Sequence, residues 1–141
     1  MRRSLPWHLA PAHRAFLEAA GCVDRARRVM AEAAPTTRFA GRPFPDVLLD
    51  FEAALGEALG HMPGWRAPEL EGQWIACDVG LRESLRLAER LRLEAPALVG
   101  FESLIGALDQ LQTPLDVFED AAERFRSLRA TGRRVDPRIG S

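Results

Sequence analysis

The chain reads as an all-α protein, a single-domain bundle of about five helices. Three observations predict this. Apolar residues recur at spacings of three and four through five long segments, and prolines or glycines punctuate the gaps between them. No stretch alternates apolar and polar residues for long, and β-branched residues are sparse, so nothing reads as a strand or hairpin. No segment repeats at the periods of solenoid proteins.

The first helix is expected over 11–34. Pro11 suits the first helical position, and Phe16, Ala19, Val23, Ala26, Met30 and Ala34 share one face. Arg14, Glu18, Asp24, Arg25, Arg28 and Glu32 cover the other side, and Pro35 stops the helix. Residues 35–46 hold three prolines and a glycine and read as a loop, pinned to the bundle by Phe39 and Phe44.

The second helix, 46–62, carries Leu48, Phe51, Leu55, Leu59 and Met62 as its core stripe. Pro63-Gly64 ends it, and Trp65 is placed to cap one end of the core. The third, 69–94, has Leu70, Trp74, Cys77, Leu81, Leu85, Ala88 and Leu91 on its seam. Ile75 and Val79 make the opposite side of its first half apolar, which predicts protein on all sides there. Arg82, Arg86 and Arg90 leave the second half exposed. Gly72 and Gly80 each lower helix stability by about 1 kcal/mol relative to Ala, and Gly80 is expected to mark a break or a close crossing.

A fourth helix restarts at Ala95-Pro96 and covers 96–112. Leu98, Phe101, Leu104, Ile105, Leu108 and Leu111 span a wide arc, predicting a central position. The fifth, 114–131, opens with Thr113 as N-cap, Pro114 at N1 and Asp116 at N3, a capping-box variant. Phe118, Ala121, Ala122, Phe125 and Leu128 line its inner face, and Gly132 ends it. Residues 1–132 therefore form the bundle domain, with 133–141 a loose tail.

Composition bounds the function classes. Of 141 residues, 47% are apolar and 28% charged, which is globular rather than disordered composition. A formal net charge of −1 supplies no global field for nucleic acid or an anionic membrane. All 19 basic residues are Arg, and Lys, Tyr and Asn are absent; their codons are AT-rich, which points to a GC-rich bacterial genome. Cys22 and Cys77 stand far apart with no metal-ligand spacing and read as reduced core thiols. Arg2-Arg3 resembles a twin-arginine start, but His8, Pro11, His13 and Arg14 follow in place of an apolar run. No segment reaches the ~18 apolar residues of a membrane span. A cytoplasmic address and no membrane are expected.

Four constellations invite functional readings. Glu57 and His61 stand at i and i+4, but share the face of Asp50, opposite Leu48, Phe51, Leu55 and Leu59; inward carboxylates are what a bundle metal needs, so no metal or other cofactor is expected. Asp78 borders the Trp74/Cys77/Leu81 seam, where desolvation would perturb it; the plainer expectation is an ion pair with Arg82. Glu102 and Asp109 lie about 10 Å apart along the fourth helix, too far to share a small site. Arg124, Arg126, Arg129, Arg133, Arg134 and Arg138 concentrate at the C-terminal end, yet Asp116, Glu119, Asp120 and Glu123 precede them, the order a helix dipole favours.

Nucleophile and phosphate-loop motifs are absent. The leading expectation is a non-catalytic protein acting through a protein partner or as a homodimer, with Gly100, Ser103 and Ala107 as a small-residue interface stripe. The alternative is a small-molecule binder or enzyme with a pocket between the third and fourth helices, built from Trp74, Asp78, Phe101 and Glu102. A third, a nucleic-acid-associated regulator using the arginine-rich end, is less favoured because no aromatics interleave the bases.

Overall fold

Antiparallel helices account for nearly all of the architecture, and their order follows from short connections between amphipathic segments. The computed structural model describes residues 4–36, 38–94 and 100–134, with side chains up to residue 129 except that of residue 94. The α-helices are α1 (Ala10–Met30), α2 (Phe44–His61), α3 (Glu71–Glu94), α4 (Gly100–Gln112) and α5 (Val117–Arg134). Short 3-10 turns at Trp7–Leu9, Met62–Trp65, Pro68–Leu70 and Thr113–Leu115 lead into or join them. No helix among the described residues is long and apolar enough to cross a membrane.

Cross-helix pairs set the directions. Arg25 on α1 meets Glu57 on α2 at 2.7 Å, and Glu52 on α2 meets Arg92 on α3 at 2.6 Å. Ser84 on α3 donates its hydroxyl to the Leu111 carbonyl, and the Cys77 thiol donates to the Val117 carbonyl at 3.7 Å. As numbering falls along α3, that of its partners rises, so α4 and α5 run in succession antiparallel to α3. The bundle is thus four-membered and up-and-down, its last member being α4 and α5 joined end to end. Pro114 lacks an amide donor and divides that member.

Several expectations are corrected here. Helix α1 ends at Met30, not at residue 34. Pro35 drives the preceding residue out of helical geometry, and Ala33–Ala34 (β1) instead pairs in parallel with Arg42–Pro43 (β2). The amide of Arg42 donates to the Glu32 carbonyl at 2.6 Å. Gly41 makes this return possible: its φ is +111°, and a Cβ there would stand 2.6 Å from the Glu32 oxygen. Two residues are too few to show alternation, so this ladder left no strand signal.

Helix α5 continues through Gly132 to Arg134, beyond its expected end. Thr113 does not cap it. Its hydroxyl donates back to the Asp109 carbonyl at 2.7 Å, because Thr113 lies in the 3-10 turn that continues from α4.

Ile75 and Val79, expected to be enclosed, are 46% and 47% exposed. Helix α4, expected at the centre, lies at the periphery. Leu104, Ala107 and Leu111 face inward, while Phe101 and Ile105 are 50% and 56% exposed. The core sits between α1, α2, α3 and α5, with Trp65, Phe51 and Phe125 among its largest buried side chains. Gly80 marks a close crossing in an unbroken helix: a Cβ added there would collide with the Pro114 carbonyl. Residues 95–99 and 135–141, with Leu98, Arg138 and most of the expected tail, lie outside the described residues, as do the side chains of Arg133 and Arg134.

Candidate functional site

Aromatic side chains fill the space between α1 and α5 and hold the two helices apart. Phe16 on α1 is 2% exposed and stands 5.0 Å, ring centre to ring centre, from Phe125 and 6.2 Å from Phe118. Its edge also meets Trp65, again at 5.0 Å. Rings of this size keep the backbones further apart than alanine contacts would. A groove remains above them.

Two adjoining depressions of about 330 and 310 Å³ make up the groove, sharing Phe16, Leu17 and Ala122 in their walls. Lining residues extend from His13 to Arg27 on α1 and, on the other wall, from Leu115 in the preceding 3-10 turn to Arg129 on α5. From His13 to Arg27 a helix rises about 21 Å. Leu17 projects at the rim, 54% exposed.

The middle is apolar and the ends are charged. At one end Arg129 approaches His13 at 3.5 Å, and Arg126 pairs with Glu123. Burial, and then the Arg129 guanidinium, holds the His13 imidazole below its ordinary value, so the neutral ring is favoured. At the other end stand Asp24, Glu119 and Arg27, the last paired with Asp116 at 2.8 Å. The lining contains no hydroxyl or thiol. His13 and Asp24 are about 16 Å apart along α1, so they cannot pass a proton through one small substrate. The groove thus offers an apolar floor bounded by charged side chains at either end.

Trp74, Asp78, Phe101 and Glu102 are not brought together. The Trp74 indole donates to the Met62 carbonyl at 2.7 Å, and the Arg66 guanidinium lies 4.3 Å above its ring. Arg66 in turn pairs with Glu71 at 2.9 Å, beside a surface hollow. Asp78 accepts from Arg82 at 3.1 Å. Phe101 packs edge-on against Phe39 at 4.7 Å, and Glu102 is exposed. In the register set by Ser84 and Leu111, Phe101 sits level with the end of α3, about 30 Å along the axis from Trp74. The same register separates Glu102 from Asp78 by more than 20 Å.

The small-residue stripe is divided. Ala107 is 8% exposed and belongs to the core, Gly100 opens α4 with φ +84° and is half-buried, and Ser103 is exposed. Glu57 is engaged by Arg25, which draws its carboxyl below the usual range, and it also accepts from the Cys22 thiol at 3.9 Å. Asp50 pairs with Arg42 at 2.8 Å. Arg124 donates to the Glu69 carbonyl at 3.0 Å.

Leu17 and His13 drew no functional expectation. Leu17 adjoins Phe16 off the main stripe of α1, widening that helix's apolar arc, and this is the signal that could have found the groove. Among the described residues no buried side-chain polar atom lacks a hydrogen-bond partner, so no unsatisfied interior group points to a hidden ligand. No protein-family model, curated protein or solved structure matches the chain.

Proposed function

We propose that this chain is a non-catalytic protein that works by binding another polypeptide along the α1–α5 groove. The observation that carries this is the groove itself: an apolar trough about 21 Å long, with Leu17 exposed at its rim and charges only at its ends. A helix-sized trough with anchoring pockets is the geometry by which amphipathic helices are recognised.

The small-molecule pocket between α3 and α4 has less support, because Trp74 and Asp78 stand at one level of the bundle and Phe101 and Glu102 at another, more than about 20 Å away along the axis. The nucleic-acid reading is weakened by partners within the chain: Arg126 is held by Glu123 and Arg124 by a backbone carbonyl.

A photo-reactive phenylalanine analogue at position 17, with a control at exposed position 86, tests the proposal in cells expressing the chain. An adduct to a polypeptide from position 17 but not from position 86, lost when Ala122→Glu fills the groove, is the expected result. No adduct, or equal labelling from both positions, overturns it.

A further inference from the structure

Resting on the binding role proposed above, we infer that the occupant of the α1–α5 groove is a second copy of this chain, related to the first by a two-fold axis across the middle of the groove. The groove is built to match itself when reversed. Its lining on α1 is centred on Ala20 and on α5 on Ala122, so small side chains stand where two copies would approach most closely. On either side of that centre lie apolar residues, with Phe16 and Leu17 towards one end and Val23 and Phe118 towards the other. A two-fold rotation about Ala20 sets Leu17 of each copy opposite Val23 of its mate.

Charge selects the reversed arrangement. Arg129 faces only the His13 ring among the described residues, and it has no carboxylate partner there. Asp24 and Glu119, which line the other end, likewise have no basic partner among the described residues. A two-fold axis brings the Arg129 end of each copy onto the Asp24/Glu119 end of the other, and does so twice. A parallel arrangement would set like charge on like.

The area fits a reversible association. A face about 21 Å long and two helices wide covers roughly 400 Å² per copy, below the ~800 Å² per partner of standard stable interfaces. The dimer is therefore expected to build up with concentration in the micromolar range and to weaken with salt, as its end charges are screened.

Sedimentation equilibrium at low ionic strength reads it out. The average mass of the wild-type chain should rise with concentration from 15.6 kDa towards twice that value. Two charge-reversed variants supply the decisive comparison. Arg129→Glu alone, and Asp24→Arg with Glu119→Arg, should each weaken self-association at least tenfold, since each homodimer then places like charges at both ends. Mixed in equal amounts, they should associate as well as wild type, because each copy then carries the complement of the other. All these side chains line an open groove, so the fold is retained, and circular dichroism checks it.

A wild-type mass that stays at the monomer up to millimolar concentration overturns the inference. So does a dimer indifferent to the reversals, or a mixture no tighter than its components. The position-17 cross-link separates this failure from that of the binding role. An adduct of twice the chain mass supports both. An adduct to a different polypeptide, with a monomeric chain, leaves the binding role standing and overturns the second copy.

Discussion

Helix α1 is packed on two sides in opposite ways. Towards α2 it presents Ala19, Cys22 and Ala26, and α2 buries Ala54 and Ala58. These short side chains let the two backbones approach closely. Towards α5 the same helix presents Phe16, answered by Phe118 and Phe125. There the rings meet and the backbones stay apart. The lesson is that side-chain volume, not hydrophobicity, decides which flank of an amphipathic helix closes against its neighbour and which stands open.

The most damaging way to break this contrast is Phe16→Ala. Removing a ring buried among three others should cost about 3–5 kcal/mol, read as a lower urea midpoint. A loss under about 1 kcal/mol would mean that the ring does not prop the helices. Next comes the closed crossing of α3 and Pro114. Gly80→Ala improves helix propensity, yet its Cβ meets a backbone carbonyl, so a net loss of about 1–3 kcal/mol is expected. Increased stability would show that α3 and the 3-10 turn are not in contact.

Cys77 sharpens the same point through pH. Burial and then Asp120 push its thiol from 9.0 up to about 12, so the folded chain keeps a proton that the unfolded chain releases. Stability from this group is complete below pH 9.0 and is lost as pH climbs towards about 12. Thermal midpoints of wild type should fall through that window, and Cys77→Ala should flatten the slope there.

The smallest effect belongs to the open flank. Leu17→Gln should change stability by no more than about 0.5 kcal/mol, because the side chain already faces solvent. The same change should abolish the position-17 contact surface, measurable as loss of concentration-dependent mass. A large loss of stability would instead place Leu17 within the fold.

Much of this architecture is legible in the spacing of residues. The stripes Phe16–Ala19–Val23–Ala26–Met30 and Leu48–Phe51–Leu55 are buried as their periodicity predicts, and Phe118, Ala121, Phe125 and Leu128 line the inner face of α5. The pair Asp78–Arg82 forms as the i, i+4 rule expects. Spacing failed where apolar residues outnumber the neighbours available to cover them. Ile75 and Val79, like Phe101 and Ile105, read as enclosed because a wide apolar arc ordinarily finds protein on all sides. Among the described residues, α4 packs along the second half of α3 with no helix beyond it to cover Phe101 and Ile105, and none covers the outer side of the first half of α3 at Ile75 and Val79. The proposed α3–α4 pocket failed for a related reason. Proximity in a bundle depends on level along the axis as well as on which helices are neighbours, and level is fixed by contacts such as Ser84 to Leu111.

By itself the sequence determined the helices, their inward faces and the punctuation between them, because backbone hydrogen bonding and the 3.6-residue period act locally. Only the tertiary structure decided that α4 and α5 form one divided member, that Phe101 and Glu102 lie far along the axis from Trp74 and Asp78, and that α1 closes on α2 but stands off from α5. Those outcomes depend on the sizes of side chains meeting from distant parts of the chain, and no local pattern records which surfaces will meet.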